Sequence, residues 1–446
     1  MPDLLYILFV FALGACVGSF LNVVVWRLPR IEYRETDKGW RIFWRSLQGL
    51  SDPPSHCPKC QNRLKWYDNI PVFGWIKLKG KCRFCSLPIS PRYPIVEAIT
   101  GLLFVGYYVA FFIYQAGPWP QELLTTFDAF GDVVTVPAVL NFTEHWGIYF
   151  LYMFAISCLL AASLIDAELF IIPIEIPWLM AVVGIVVHAI IDTPTMPGTL
   201  NLSPGLAAGA TGATVGLAIS MLLWWYGKMP TSFPQGEPML EVDHAAFAKE
   251  VADAKAAGQP EPVLPPEYTP GQIRAEMGKE ILFLAPPVVL AIVGAILIPT
   301  TMSGAWGNLV SQHWFTGMLG AIWGGCVGAF VVWFFRIAGT VALGKVAMGL
   351  GDVHLMFGVG AIVGAMNSFV AFFLAPFFAI VLHVWLLLLR RQRELPYGPY
   401  LSLATAFVMI FGCPMAAYLT PGFEGLWDAL RMLIGLQPAS GPQFVG

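Results

Sequence analysis

Residues 4–26 read LLYILFVFALGACVGSFLNVVVW and contain no charged side chain. A helix of about 20 predominantly apolar residues crosses the hydrocarbon core of a bilayer, so this stretch predicts a transmembrane helix. Asp3 stands where a signal peptide would carry basic residues, and no small-residue cleavage pattern follows, so we expect the segment to be retained. Of the 446 residues, 57% are hydrophobic and 12% charged, about half the usual charged fraction. The composition excludes an ordinary soluble enzyme.

Other stretches satisfy the same criterion of length and apolar content. The predicted spans are 4–26, 94–114, 147–165, 174–191, 204–226, 281–299, 316–335 and 398–418. Residues 355–389 contain no acid or lysine and are too many for one span. We expect a tight hairpin there, with its turn at 364–368 and one arm that does not fully cross. The sequence therefore predicts an all-α polytopic membrane protein with about 8–10 transmembrane helices.

The basic residues are distributed very unevenly between the predicted loops. Residues 27–92 hold 14 of the 25 Lys and Arg and five acids, whereas 115–146, 192–203 and 300–315 hold no Lys or Arg. Cytoplasmic loops carry an excess of basic residues. This distribution predicts that loop 27–92 is cytoplasmic and that the N-terminus lies outside.

The predicted organisation has six parts. They are a first transmembrane helix (1–26), a cytoplasmic loop with four cysteines (27–92), helices two to five with Asp166 (93–227), a proline-rich cytoplasmic insert (228–280), further helices with Asp352 (281–418) and a periplasmic tail (419–446). The insert holds eight prolines, and we expect it to be flexible and without a core of its own. A short polar helix is predicted at 242–257 and an amphipathic one at 423–436.

Four cysteines in the cytoplasmic loop form two C-x-x-C knuckles, Cys57–Cys60 and Cys82–Cys85. Four thiolates at this spacing can converge tetrahedrally on Zn²⁺, which predicts a closed, structural site. The alternative is two disulfides or a redox pair, which a reducing cytoplasm disfavours.

Acids within membrane spans are costly and are therefore functional candidates. Asp166 lies at the inner end of the third span, and Asp352 follows the seventh in the string Gly349-Leu350-Gly351-Asp352. The predicted topology places both near the cytoplasmic face. Two neighbouring carboxylates share one proton, so that one can activate water while the other polarises a carbonyl. The alternative from the residues alone is that both acids are interfacial helix caps.

Together these strings resemble the bacterial type IV prepilin leader peptidases, a prepilin peptidase/N-methyltransferase family of intramembrane GxGD aspartic proteases. The matching strings are GSFLNVVVWRLP (18–29), the four cysteines, RYPIVE (92–97), LID (164–166) with Ile172-Pro173, GKVAMGLGD (344–352) and PYGPY (396–400). They occur in the family's order and cover most of the chain. Ile174 and His354 depart from the family's usual residues.

The resemblance implies an endopeptidase of the bacterial inner membrane that removes the basic leader of pilin-like precursors, after a glycine, at the cytoplasmic face. Such precursors belong to type IV pili or type II secretion. Asp166 and Asp352 match the catalytic aspartates, and Gly349, Gly351 and Lys345 belong to the supporting string. The resemblance also implies N-methylation of the new N-terminus with S-adenosylmethionine.

Glu97 and Asn22 are candidates for the methyltransferase or for docking of the loop, with an interfacial carboxylate and a helix-to-helix hydrogen bond as the respective alternatives. The expected partners are pilin-like precursors and the lipid bilayer, with no nucleic acid. Two other functions are considered: a proton- or ion-coupled transporter using the two acids, and an inactive assembly scaffold. A transporter would be expected to have repeated halves and acids at the midplane, and neither is visible in the sequence.

Overall fold

A computed structural model gives the fold of the chain. It describes residues 2–31, 40–51, 54–57, 59–117, 123–127, 133–137, 139–192, 198–234, 255, 268–388, 396–412, 415 and 418. Thirteen helices are named here within these ranges: α1 Pro2–Arg27, α2 Trp40–Ser51, α3 Phe73–Lys77, α4 Arg92–Tyr108, α5 Phe142–Leu169, α6 Glu175–Ile191, α7 Pro204–Trp225, α8 Pro270–Thr301, α9 Ser303–Val310, α10 His313–Leu343, α11 Leu350–Val363, α12 Ala365–Leu388 and α13 Tyr397–Gly412.

The helices confirm the prediction of an all-α polytopic membrane protein. Seven of those described are long and apolar enough to cross a bilayer, and α6, α11 and α13 are shorter apolar helices. The predicted hairpin is present: α11 ends at Val363, Gly364 has a φ of +83°, and α12 begins at Ala365. At 1.5 Å per residue, the 14 residues of α11 span roughly 21 Å. This arm is too short to cross a hydrocarbon core of about 30 Å unaided.

A small hairpin accompanies the helices in the loop that the sequence left without a structural assignment. Strand β1 (Leu123–Phe127) pairs antiparallel with β2 (Val133–Pro137), with Thr125 opposite Thr135. A lipid-exposed sheet edge would leave backbone groups unsatisfied, so a two-stranded hairpin belongs outside the hydrocarbon.

The chain divides into two compact units, and each is described by itself. The first unit comprises residues 1–201, 312–328 and 354–446, and the second comprises 202–311 and 329–353. In the first unit α1 packs along α4, and both contact α5. The hydroxyl of Tyr149 on α5 donates to the Phe104 carbonyl (2.7 Å) and that of Tyr107 on α4 donates to the Ala406 carbonyl (2.6 Å). These buried hydroxyls therefore connect neighbouring helices.

Glycines allow the backbones of α1 and α4 to approach closely. A β-carbon at Gly14 would lie 2.8 Å from the Phe104 ring, and one at Gly18 would lie 2.7 Å from Glu97 Cα. Gly14 and Gly18 are four residues apart on one helix face, the small-xxx-small arrangement of tightly packed membrane helices. This contact fixes the C-terminal end of α1 against the start of α4.

In the second unit α7 packs along α8. Gly212 and Gly216 again lie one turn apart, and a β-carbon at either would collide with the backbone of α8. Helix α8 begins eleven residues before the predicted span because Thr269 and Gln272 form a capping box in front of it. Both described ends of the proline-rich insert contribute buried side chains to a small cluster, formed by Phe233, Ile273, Met277 and Val346. The insert's polar helix at 242–257 and the tail helix at 423–436 lie outside the described residues, apart from position 255.

The Gly18 contact can be tested with alanine. Gly18→Ala should lower the free energy of unfolding by about 1–3 kcal/mol, because the new methyl group must displace the backbone of α4. Thermal unfolding of the purified protein in detergent measures the effect. Gly106→Ala on α4 is the matched control, since a β-carbon there meets no atom within 4 Å. Equal melting temperatures for the two variants would contradict the proposed close contact.

Candidate functional site

Asp166 lies in the last turn of α5 and is only 5% exposed. The helix ends there because Phe170 adopts a left-handed φ of 56°, and its N–H donates to the Asp166 carbonyl (2.9 Å). The backbone of Gly398 hydrogen-bonds the Asp166 carboxylate. A β-carbon at Gly398 would collide with Asp166 Oδ2 and lie 3.1 Å from Ile172 Cδ1. Only glycine at position 398 therefore lets the backbone come so close to this carboxylate. This role of Gly398 was not predicted from the sequence.

Glu168, two residues further on, lies in a different environment. Its carboxylate forms an ion pair with the Arg92 guanidinium, and both side chains are more than a third exposed. The pair connects the end of α5 to the start of α4. An exposed ion pair contributes little to stability, so Glu168 is a suitable comparison for the buried Asp166.

Asp352 lies in the first turn of α11 and is 7% exposed. A β-carbon at Gly349 would lie 3.6 Å from Asp352 Oδ2, so the carboxylate folds back toward the segment that precedes the helix. Gly349 is exposed, Gly351 is half-buried and Lys345 is exposed. Gly349 and Gly351 therefore lie at the start of α11, and Lys345 is exposed in the segment that precedes it.

The two cysteine knuckles have the same backbone structure. In each, the N–H of the first cysteine donates to the carbonyl five residues on, and its carbonyl accepts from the N–H four residues on. The fourth residue after each first cysteine, Gln61 or Ser86, has a φ of 58°. The knuckles bring four free sulfurs within 4.8 Å of one another, with Cys57 to Cys85 and Cys60 to Cys82 both at 3.9 Å. These four residues could hold a metal ion.

Backbone donors support the ionised form of two of these thiols. A hydrogen bond from the backbone of Asn62 lowers the pKa of Cys60 to about 6. Backbone hydrogen bonds from Cys85 and Phe84 also lower the pKa of Cys82. For Cys85, a backbone hydrogen bond from Leu87 is outweighed by burial and the neighbouring sulfurs, which raise the pKa to about 11. Four thiolates so close together repel one another, and a divalent cation would offset that repulsion.

A partly buried ion pair fixes the second knuckle to the rest of the loop. Arg83 Nε donates to Asp68 Oδ2 (2.8 Å), and its Nη2 contacts Oδ1 of the same carboxylate. The Asp68 side chain is fully buried, and the hydrogen bonds from Arg83 hold its pKa below the ordinary value of 3.8. This pair was not predicted from the sequence. The one available signal was an arginine within a C-x-x-C knuckle.

Glu97 and Asn22 line the same cavity between the loop, the C-terminal end of α1 and the start of α4. Its volume is about 1270 Å³. Glu97 Oε2 accepts from the Val72 N–H (2.6 Å), and Asn22 Nδ2 donates to the Tyr93 carbonyl (3.2 Å). Trp26, Trp75 and Tyr93 contribute aromatic side chains to the lining. Glu97 therefore contacts the loop through the Val72 N–H and also lines the cavity. Asp166 is not among the lining residues.

Comparison with known proteins connects this loop and these helices to one family. A sequence profile of the Bacterial Peptidase A24 N-terminal domain matches residues 12–111. A prepilin leader peptidase/N-methyltransferase of Stutzerimonas stutzeri is 30% identical over 238 residues, which cover 51% of this chain and 67% of that protein. The chain belongs to the prepilin leader peptidase/N-methyltransferase family. It is therefore a multi-pass membrane protein of this family.

Two other relatives are similar over shorter regions. A prepilin leader peptidase/N-methyltransferase of Myxococcus xanthus is 38% identical over 142 residues, or 32% of this chain and 35% of that protein. A type 4 prepilin-like proteins leader peptide-processing enzyme of Escherichia coli is 42% identical over 114 residues, or 25% of this chain and 41% of that protein. The chain thus aligns with less than half the length of these two relatives. No solved structure matches the chain.

Proposed function

We propose that the protein is a membrane aspartic endopeptidase that cleaves the basic leader of type IV prepilin-like precursors after glycine, with Asp166 and Asp352 as its catalytic carboxylates. The observation that carries the proposal is the environment of Asp166. It is a carboxylate buried at the end of a membrane helix, with a glycine backbone held against it. Burying an ionisable group in a membrane protein costs free energy, so a buried acid of this kind is a functional candidate. The family's name supports the choice of reaction. No observation on the described residues favours the transporter alternative.

The chemistry needs one ionised and one protonated carboxylate. The ionised aspartate accepts a proton from water as the oxygen attacks the scissile carbonyl, and the protonated one donates to the carbonyl oxygen. Two carboxylates that share one proton titrate as a unit, so neither role is assigned to one residue. When the tetrahedral intermediate collapses, the proton taken from water goes to the leaving amine, and the new N-terminus is released as a free amino group.

The predicted topology supports the choice of substrate. It places the N-terminus outside, loop 27–92 in the cytoplasm and both aspartates near the cytoplasmic face of the inner membrane. A precursor anchored by an apolar helix would present its leader at that same interface. Basic leaders would stay there by attraction to anionic lipids.

Isosteric replacement of the acids tests the peptidase. Asp166→Asn and Asp352→Asn should each reduce precursor cleavage by at least about a hundredfold, since general acid–base catalysis contributes roughly 10²–10⁴. The assay mixes purified enzyme in detergent with a pilin-like precursor and follows the leader by mass spectrometry. Glu168→Gln is the matched control and should retain cleavage. Undiminished cleavage by either aspartate variant would refute the assignment of that residue.

We further propose that the four cysteines bind a structural zinc ion. Thiolates placed tetrahedrally at the usual Zn–S distance of about 2.3 Å lie roughly 3.8 Å apart, and the two closest sulfur pairs are 3.9 Å apart. Four protein ligands leave no open position for substrate. Zinc would instead hold the two knuckles together, which also fixes the Asp68–Arg83 contact and the wall of the cavity.

Metal analysis tests the zinc site. The purified protein should contain about one zinc per chain, and Cys82→Ser should lose most of it, because three thiolates bind zinc less tightly than four. Inductively coupled plasma mass spectrometry measures the content. Cys16→Ser is the control, because Cys16 lies in α1 and outside the cluster. Zinc retained in full by Cys82→Ser would exclude this ligand set.

A second activity, N-methylation of the new N-terminus with S-adenosylmethionine, is proposed on the basis of the cavity at Glu97. Its volume exceeds the roughly 300–1,000 Å³ typical of small-molecule sites. Aromatic faces suit both an adenine ring and a cationic sulfonium, and the Glu97 carboxylate and Asn22 amide can bind polar groups. When bound, S-adenosylmethionine supplies an electrophilic methyl group. The chain's own residues enclose the site and hold the loop closed over it through the Glu97–Val72 hydrogen bond.

Glu97→Gln should therefore separate the two activities. Transfer of labelled methyl to the processed N-terminus should fall about tenfold or more, since hydrogen bonds to a charged group contribute about 1.5–3 kcal/mol. Cleavage should remain within about twofold of wild type, because Asp166 lies outside the cavity lining. Glu144→Gln at the start of α5 serves as the control. Equal loss of both activities would show that Glu97 supports the whole fold and not the cavity alone.

A further inference from the structure

A buried ion pair joins two helices of the second unit. Glu280 on α8 and Arg336 on α10 are 3% and 0% exposed. Arg336 Nη2 lies 2.9 Å from Glu280 Oε1, and Arg336 Nε lies 3.1 Å from Oε2. The indole N–H of Trp333 donates to Glu280 Oε2 (2.6 Å). The carboxylate is thus held by three donors from α10.

The same arginine reaches the segment that leads to Asp352. Its remaining terminal nitrogen, Nη1, donates to the carbonyl of Met348. Residues 344–349 between α10 and α11 form no helix or strand, so side chains hold this backbone in place. Thr340 is the second such side chain, since its hydroxyl accepts from the Ala347 N–H (3.1 Å).

The contact with Met348 lies directly before the string that contains Asp352. Gly349 follows Met348, and the Asp352 carboxylate folds back to within ordinary contact distance of a β-carbon at that glycine. Glycines leave the backbone free to adopt many conformations, so this segment needs an external constraint. The guanidinium supplies one, because its planar fork fixes both the carboxylate on one side and the carbonyl on the other.

From this arrangement we infer that Arg336, oriented by Glu280, is a positioning residue for Asp352. The inference rests on the proposed peptidase function. The pair holds the Met348 carbonyl, the carbonyl fixes the start of α11, and the first turn of α11 carries the acid. A catalytic group displaced by about 1 Å loses much of its effect, so loss of the pair should slow the chemical step more than it weakens precursor binding.

The experiment removes both charges together. Truncating one partner would leave an uncompensated buried charge and could unfold the protein, whereas replacing both with apolar residues is often neutral for stability. We therefore compare the wild type with the double variant Glu280→Leu/Arg336→Leu. The control is Glu276→Gln/Lys279→Gln, which removes a neighbouring, partly exposed ion pair on α8. Cleavage kinetics and hydrogen–deuterium exchange of residues 344–352 are measured on the full chain in detergent.

The double variant should keep KM within about twofold of the wild-type value. Its kcat should fall roughly ten- to hundredfold, which corresponds to the loss of one hydrogen bond to a charged group. Amides of residues 345–352 should exchange faster, while α1 and α4 stay unchanged. A folded double variant with wild-type kcat, or with unchanged exchange at 345–352, would overturn the inference.

Two further variants keep the test decisive. If the double variant does not fold, Arg336→Lys takes its place: it retains the charge opposite Glu280 but cannot bind both groups, and the same loss of kcat is expected. Asp352→Asn separates this inference from the proposed function. Should it cleave as the wild type does, the peptidase assignment of Asp352 fails, and the exchange measurement still shows whether the pair holds the segment.

Discussion

A charge buried in a membrane protein is stable only where the protein itself supplies its partner, and this constraint organises the structure. Water is absent from the hydrocarbon core, so an unpaired ionised group costs several kcal/mol there. The buried ionisable side chains in and beside the described spans include four whose partners are other parts of the chain: Asp166 with the Gly398 backbone, Glu97 with the Val72 N–H, His188 with Asp192, and Glu280 with Arg336. Three of these pairings join segments that are distant in the sequence, whereas His188 and Asp192 lie one helical turn apart at the end of α6.

The pairings lie where helix backbones come close together or end. Gly18 brings α1 within contact of Glu97, and Gly398 brings the first turn of α13 within contact of Asp166. At helix ends, N–H and carbonyl groups are left without partners inside the helix, which makes them available to side chains. The candidate acids Asp166 and Asp352 are both in terminal turns. Close backbone approach and unpaired helix ends thus supply hydrogen-bond partners for buried carboxylates. These partners lower the free-energy cost of burying an acid at such positions.

Much of this arrangement follows from the sequence, because hydrophobic length and cysteine spacing are local signals. Six of the eight predicted spans, the hairpin turn at Gly364 and the convergence of the four cysteines are confirmed, whereas the predicted spans 174–191 and 398–418 correspond to the shorter apolar helices α6 and α13. Helix boundaries were less well predicted: α8 starts at Pro270 because a capping box extends it beyond its apolar part. The Asp68–Arg83 and Glu280–Arg336 pairs could not be predicted, since charge complementarity alone does not say which residues meet across 15 or 56 positions.

The two proposed activities also have a necessary order, and they are assigned to different residues. Only hydrolysis creates the free amine that a methyl group can be attached to, so cleavage must precede methylation. The cavity at Glu97 is lined by the loop and by α1 and α4, and Asp166 is not part of that lining. The cleaved N-terminus must therefore move from the aspartates to the cavity while its helix stays in the bilayer. Because no lining residue is one of the proposed catalytic acids, the two proposals together predict variants that cleave without methylating, and none that methylates a precursor without first cleaving it.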